Sequence, residues 1–179
     1  MQSARTARQH GMNAIGFGVV GLMVYAVMIF GTLAHLEAVS GYRPFDMRPL
    51  GYTYSDADQL LAGLGPNGRT YYLTRQIPLD LFYPALLALT LVSTLRWLEQ
   101  RLPHRRWVRL GIATAIAAAA FDYAENLGVV AMILTWPDLP SYLVGCASIA
   151  TTAKSALTTL AAALVLGLGV IALRRPALP

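Results

Sequence analysis

The chain carries a single lysine, Lys154, and it lies inside one of the most apolar stretches of the sequence. An ammonium group in hydrocarbon is costly, so a lysine within a membrane span is expected to be functional and to have an acidic partner. The candidate partners are Asp122, Glu125 and Asp80. A lysine that holds an anionic or carbonyl group beside a carboxyl that moves a proton would support acid–base chemistry, with Glu125 as the group that shuttles the proton.

The elements that position these residues are predicted to be membrane-spanning helices. The composition is 56% hydrophobic and only 13% charged, which departs from soluble domains towards membrane proteins. Four apolar windows are long enough to span about 30 Å of hydrocarbon. We predict an all-α fold, a single integral membrane domain 1–179 built as a four-transmembrane-helix bundle, with spans at about 12–34, 79–95, 108–134 and 142–173.

The arginines predict the orientation of these spans. Arginines precede the first span, fill the second connection and follow the last span, whereas the connection between the third and fourth spans has no basic residue. The positive-inside rule then places both termini and the second connection in the cytoplasm. The arginines in question are Arg5, Arg8, Arg96, Arg101, Arg105, Arg106, Arg109, Arg174 and Arg175.

The connection 36–78 is predicted to face outwards, and it is too long to be a plain link between spans. We expect an ordered extracytoplasmic loop that contains a short helix at 55–65. Ser55 is the predicted N-cap, Asp58 completes a box-like pattern, and Gly65 ends the helix. A turn is predicted at 66–68. Such a loop would form a cap over the outer mouth of the bundle.

The candidate site residues fall at similar depths when each is counted along its helix from the nearest cytoplasmic arginine. At about 1.5 Å per helical residue, Asp122 lies roughly 20 Å from Arg109, and Lys154 lies roughly 30 Å from Arg174. The long lysine side chain can bend towards the other groups. We therefore predict one polar layer in the outer leaflet. Its candidate catalytic residues are Glu125, Asp122 and Lys154, and its candidate ligand-binding residues are Asp80, Tyr83, Asn126, Thr151, Ser155 and Tyr25.

Charge balance is the main problem for this layer. Asp80, Asp122 and Glu125 would place three negative charges against the single charge of Lys154, and uncompensated carboxylates in a low dielectric are very unfavourable. One solution is a protonated carboxyl group, and another is an arginine from the loop. The candidate arginines are Arg75 and Arg48. We favour a third solution, in which Asp80 stays hydrated at a helix N-terminus while Lys154 pairs with Asp122 or Glu125.

Several phrases of the sequence resemble a family of small bacterial four-span integral membrane proteins that has no assigned activity. The phrases are Pro44-Phe-Asp-Met-Arg-Pro49, Leu64-Gly-Pro-Asn-Gly-Arg69, Leu79-Asp80 with Pro84, and Asp122-Tyr-Ala-Glu-Asn126. The resemblance covers most of the chain. It implies the fold and a multi-pass protein of the bacterial inner membrane, without implying any chemistry. An analogy with sterol-isomerase-type membrane proteins, which place acids and an asparagine in a pocket between four helices, rests on the fold alone.

The leading functional hypothesis is a pocket that binds, and acts by acid–base chemistry on, a lipid-like or amphipathic small molecule. The first alternative is a non-enzymatic assembly or partner-binding subunit whose intramembrane charges join helices, including those of a homo-oligomer. The second alternative is a proton-coupled transporter. Membrane lipids are the expected partners. The arginines serve topology, so no nucleic acid is expected. No cofactor is expected, and a metal is not expected because the ammonium in the same layer would repel it.

Overall fold

The computed structural model describes residues 2–102 and 105–174, and all of the regular secondary structure in that part of the chain is helical. Four helical stretches are long and apolar enough to cross a membrane. They are Arg5–Ser40, Tyr54–Glu99, Arg105–Thr135 and Ser141–Leu173. The expectation of an all-α chain with four helices of spanning length is therefore confirmed. Arg175, which we used to orient the last span, lies outside the described residues.

Six α-helices make up these stretches, and two of the stretches contain a π-helical segment. The helices are α1 (Gln2–Val27), α2 (Ala34–Ser40), α3 (Tyr54–Tyr71), α4 (Ile77–Glu99), α5 (Arg105–Thr135) and α6 (Ser141–Leu173). The π segment Met28–Leu33 joins α1 to α2, and the π segment Tyr72–Gln76 joins α3 to α4. The predicted connection 36–78 is therefore mostly helical. Only the segment 41–53 runs between helices, and it contains the 3₁₀ turn Phe45–Met47.

The N-cap of helix α3 lies two residues earlier than the sequence pattern predicted. Its N-cap is Thr53, whose hydroxyl accepts a hydrogen bond from the backbone N–H of Asp56 at 3.2 Å, while the Asp56 carboxylate accepts one from the backbone N–H of Thr53 at 2.8 Å. The prediction that Ser55 caps this helix was wrong.

The predicted turn at 66–68 was also wrong. Gly65 breaks the helix, with φ 60° and ψ −179°, but Pro66 then begins a new helical run that continues into α4. Proline is favoured in a first helical turn because the N–H that it lacks has no helical partner there.

The spanning helices pack in the order α1, α4, α5, α6, with α1 along α4 and α6 along α5. Small residues allow the close approach. A Cβ added at Gly21 of α1 would lie 3.4 Å from the Leu86 side chain of α4, and one added at Gly128 of α5 would lie 2.6 Å from the Cβ of Ala147 in α6. Within the described residues, α1 and α6 do not pack along each other. The segment 41–53, α2 and α3 lie where the spanning helices end on one side of the bundle, and we call this the loop-side end.

The buried apolar residues form two clusters that are separated along α4, α5 and α6. The larger cluster lies at the loop-side end and includes Phe45, Leu61 and Met132. The smaller cluster lies towards the other end and includes Leu95 and Val108. The polar residues singled out from the sequence fall between the two clusters.

Candidate functional site

Lys154 joins the last two spanning helices through two carboxylates. Its Nζ lies 3.1 Å from Oδ1 of Asp122, and it also forms an ion pair with Oε2 of Glu125. The two acids are three residues apart on α5, so they share one face and reach the same ammonium group. The Lys154 side chain is 13% exposed and that of Glu125 is 1% exposed. The structure thus pairs the lysine with both acids, where the sequence left the choice between them open.

Thr151 also binds the carboxylate of Glu125. The Thr151 hydroxyl donates a hydrogen bond to Oε1 of Glu125 at 2.6 Å, and this threonine is fully buried. The hydroxyl of Tyr52 is buried near the same pair, close to the hydroxyl of Thr151. Burial, and then the charge of Glu125, raises the pKa of Tyr52 well above its ordinary value, so the phenol stays neutral.

Asn126 supplies a hydrogen bond that the backbone of α4 lacks. Pro84 has no N–H, so the carbonyl four residues earlier, that of Asp80, lacks its usual donor within the helix. The side-chain amide of Asn126 donates a hydrogen bond to this carbonyl oxygen at 3.1 Å. Tyr123 similarly donates to the carbonyl of Leu81 at 3.0 Å. The amide of Asn126 is therefore engaged with α4, and it does not point at the cavity described below.

The carboxyl group of Asp80 is buried, which contradicts the prediction that it stays hydrated. Asp80 is 2% exposed, and its Oδ2 accepts no hydrogen bond from an amide or hydroxyl group of the described residues, although the carboxyl group of Asp46 lies beside it. The prediction failed because the helix does not begin near Asp80: the helical run from Pro66 passes through the π segment Tyr72–Gln76 before it reaches α4. Asp80 therefore lacks the free N-terminal amides that would have stabilised its charge.

Asp46, which the sequence analysis missed as a site residue, is a fourth carboxyl group at this site. It lies in the 3₁₀ turn of the segment 41–53 and accepts hydrogen bonds from the hydroxyl of Tyr72 and from Nε2 of Gln76, the latter at 3.3 Å. Gln76 in turn accepts a hydrogen bond from Thr32 at 2.5 Å, so the two π segments meet here. Asp46 is also the strongest electrostatic neighbour of Asp80. The only sequence signal that Asp46 lies near the core was its position between two apolar residues, Phe45 and Met47.

The arginines of the loop do not balance these acids. The guanidinium group of Arg48 forms an ion pair with Asp56 at 2.9 Å and donates a hydrogen bond to the carbonyl of Arg43 at 2.9 Å. Arg75 is exposed. The site therefore contains four carboxyl groups and the single ammonium of Lys154. These carboxyl groups belong to Asp46, Asp80, Asp122 and Glu125.

A cavity of about 350 Å³ lies beside this cluster and is partly open to the outside of the molecule. One part of its wall is polar and the rest is mainly apolar. The polar and aromatic residues that line it are Asp46, Asp80, Asp122, Lys154, Tyr25 and Tyr83, and the others are Met28, Ile29, Leu33, Met47 and Pro49. Tyr25 and Tyr83 stack with ring centroids 5.2 Å apart.

The cavity divides the candidate residues into two groups. The residues predicted from the sequence that line it are Asp80, Asp122, Lys154, Tyr83 and Tyr25. Glu125, Thr151 and Asn126 lie behind these residues and hold them in place through the contacts described above. Ser155 is half-buried on α6 and is not part of the cavity wall.

Comparison with protein-family models, with curated proteins and with solved structures finds no match for this chain.

Proposed function

We propose that this protein binds a lipid-like or amphipathic small molecule in the cavity between α1, α4 and α6. The observation that carries the proposal is the cavity itself, which joins an apolar wall to a cluster of charged side chains. Its volume of about 350 Å³ lies at the lower end of the range for small-molecule sites, about 300–1,000 Å³. A polar head group would contact Asp122 and Lys154, and an apolar chain would lie against Met28 and Ile29.

The helix arrangement supports entry from the bilayer. Helix α1 contributes Tyr25 to the wall, the π segment that follows it contributes Ile29, and α6 contributes Lys154, yet α1 and α6 do not pack along each other within the described residues. An amphipathic molecule in the membrane would pass between them without first crossing water. With the loop facing outwards, as the arginines predict, the cavity lies in the outer leaflet of the inner membrane.

Acid–base chemistry on the bound molecule is the second part of the proposal. Asp122 and Lys154 both reach the cavity and are ion-paired with each other, so the Asp122 carboxylate can accept a proton from the ligand and the Lys154 ammonium can donate one to it. Transfer of the accepted proton from Asp122 to the Lys154 amine then restores both groups. Glu125 lies behind Lys154 and is hydrogen-bonded to Thr151. We therefore assign proton exchange with the ligand to Asp122 and Lys154, and we give Glu125 the role of holding the ammonium and relaying the proton.

Lipid that co-purifies with the full-length protein provides the test. The protein would be purified in dodecyl maltoside, and the extracted lipids would be quantified by mass spectrometry. We expect a lipid or other amphipathic species that is enriched relative to the bulk membrane extract. The variant Ile29→Trp fills the cavity and should remove this species. Ile15→Trp is the matched control, because Ile15 is 69% exposed on the outer face of α1.

The proposal predicts that Ile15→Trp retains the enriched species while Ile29→Trp loses it. Equal lipid profiles for the wild type and both variants would contradict ligand binding in the cavity. Comparable thermal unfolding midpoints for the two variants would show that the loss reflects the cavity rather than misfolding.

A structural role for the charges is the second candidate, and one observation favours it. The ion pairs of Lys154 connect α6 to α5, so they stabilise the contact between two spanning helices of the same chain. If this is their only role, a variant in which Lys154, Asp122 and Glu125 are all replaced by uncharged residues of similar shape would be stable and would retain any bound lipid. If the cavity binds a polar head group, the same variant would be stable but would lose the bound lipid.

A further inference from the structure

We propose that the cavity selects amphipathic molecules whose head group is positively charged, such as a primary amine or a quaternary ammonium, and that Asp80 and the Tyr25–Tyr83 pair bind this group. The inference rests on the proposed function and narrows the class of ligand. Three observations support it. The carboxyl group of Asp80 lies beside a second carboxyl group, Lys154 is already ion-paired within the protein, and two stacked aromatic rings line the same wall.

The charge of Lys154 is already balanced. Asp122 and Glu125 both form ion pairs with its ammonium, so this lysine does not offer an unmatched positive charge to a ligand. Asp46 and Asp80 remain, and their carboxyl groups are neighbours on the cavity wall. Two adjacent carboxyl groups of low exposure require either a shared proton or a positive charge from outside the chain.

The two carboxyl groups differ in how the protein supports them. Both oxygens of Asp46 accept hydrogen bonds, one from Tyr72 and one from Gln76, so its ionised form is satisfied. Oδ2 of Asp80 is buried and accepts no hydrogen bond from an amide or hydroxyl group of the described residues; its polar neighbour is the carboxyl group of Asp46, which lines the same cavity. Two adjacent carboxyl groups lack both a positive charge and a strong donor, so an ammonium group that enters the cavity beside Asp46 and Asp80 would bind favourably.

The surroundings of Asp80 fit an organic cation better than a metal ion. In the described part of the chain, no group of three His, Cys, Asp or Glu side chains is positioned to hold a metal. The carboxyl groups instead share the wall with the stacked rings of Tyr25 and Tyr83. Aromatic faces attract ammonium groups, and the attraction is larger where the site excludes water. The apolar part of the wall would then hold the hydrocarbon attached to the cation.

Short water-soluble probes allow the head group to be varied while the tail stays the same. The full-length protein in dodecyl maltoside micelles would be titrated by calorimetry with hexylammonium, hexyltrimethylammonium, hexanoate and hexanol. For the wild type we expect hexylammonium to bind about tenfold or more tightly than hexanoate and hexanol, because only the cation makes a charged hydrogen bond to Asp80. Blank micelles correct for partitioning into detergent.

Asp80→Asn should abolish this preference and bring hexylammonium to the affinity of hexanol. The variant keeps the backbone carbonyl that Asn126 binds, so the anchoring of α4 to α5 remains. Asp138→Asn is the matched control, because Asp138 is exposed in the connection between α5 and α6. Tyr25→Leu supplies an independent arm: Tyr25 is 42% exposed, so the fold should tolerate it, and hexyltrimethylammonium should bind a few-fold less tightly.

The outcomes separate this inference from the proposed function. If all four probes bind and Ile29→Trp blocks them, but hexylammonium shows no preference over hexanol, the cavity is a binding site and Asp46 and Asp80 share a proton instead. That result would overturn the inference alone. A preference for hexanoate, or a preference for hexylammonium that survives both Asp80→Asn and Tyr25→Leu, would also overturn it. If no probe binds in a way that Ile29→Trp abolishes, the inference and the proposed function both fail.

Discussion

Lys154 on α6 and Asp122 on α5 form an ion pair with 3.1 Å between Nζ and Oδ1, and both side chains also line the cavity. The pair therefore has two roles. It joins two spanning helices, and it is accessible to a molecule that enters the cavity.

Removing the ammonium of Lys154 leaves Glu125 and Asp122 without their ion-pair partner. The loss at Glu125 should destabilise the protein more than the loss at Asp122. In Lys154→Met, Glu125 keeps only its hydrogen bond from Thr151 although its side chain is 1% exposed, and breaking a buried ion pair costs about 3–5 kcal/mol. Adding Glu125→Gln should restore most of this loss, and adding Asp122→Asn should restore less because that side chain is 12% exposed. Unfolding in mixed micelles with increasing dodecyl sulfate measures these differences. Wild-type stability for Lys154→Met alone would contradict this assignment.

The hydrogen bond from Thr151 to Glu125 should make a measurable contribution of its own. Thr151→Val preserves the shape of the side chain and removes the donor, and we expect a loss of about 1 kcal/mol, within the range for hydrogen bonds between membrane helices. Thr159→Val is the control, because Thr159 is exposed and its hydroxyl bonds only to the carbonyl of Ser155 in its own helix. The same unfolding assay compares the two variants. Equal effects would show that the bond to Glu125 adds nothing.

Gly51 should be more sensitive to substitution than Gly41, although both have positive φ values of 84° and 75°. An alanine at either position adopts a left-handed conformation that costs roughly 1–2 kcal/mol. At Gly51 the added Cβ would also lie 2.6 Å from Oγ of Ser148, whereas Gly41 has open space around it. Gly51→Ala should therefore displace the segment 41–53 from α6 and break the 2.8 Å hydrogen bond from the Tyr52 backbone N–H to Ser148. Faster proteolysis within 41–53 in this variant than in Gly41→Ala would report the displacement, and equal rates would contradict it.

The N-cap of α3 provides a similar comparison. Thr53→Ala removes the capping hydroxyl and should destabilise the helix by about 1 kcal/mol. Ser55→Ala should have a smaller effect, because the Ser55 hydroxyl only accepts an exposed hydrogen bond from Gln59. Hydrogen exchange of the first turn of α3 measures the effect locally. Faster exchange in Ser55→Ala than in Thr53→Ala would contradict the assigned cap.

Helical geometry made part of the site predictable from the sequence. Apolar windows locate the spanning helices, and the fixed rise per residue then puts Asp122, Glu125 and Lys154 at similar depths. The spacing of Asp122 and Glu125 places both on one face, so that a single lysine on the neighbouring helix reaches them. These relations are local or depend only on helix length, and the structure brings these three residues together.

The contributions of the segment 41–53 could not be predicted in this way. The position of Asp46 depends on long-range contacts with Tyr72 and Gln76 from another part of the chain. The burial of Asp80 depends on helical structure that continues through residues that read as a loop. The capping signal was ambiguous for a different reason: Thr53 and Ser55 are each followed three residues later by an aspartate, so the pattern fits both.

Photo-crosslinking in membranes tests the central claim, that the cavity binds an amphipathic molecule, most directly. A diazirine-bearing fatty amine would be incorporated into vesicles that contain the full-length protein, and the adducts would be mapped by mass spectrometry after illumination. We predict that adducts concentrate on Met28, Ile29 and Met47, and that excess unlabelled fatty amine suppresses them. Adducts spread over outward-facing residues such as Leu22 and Phe30, with none on the cavity wall, would contradict it.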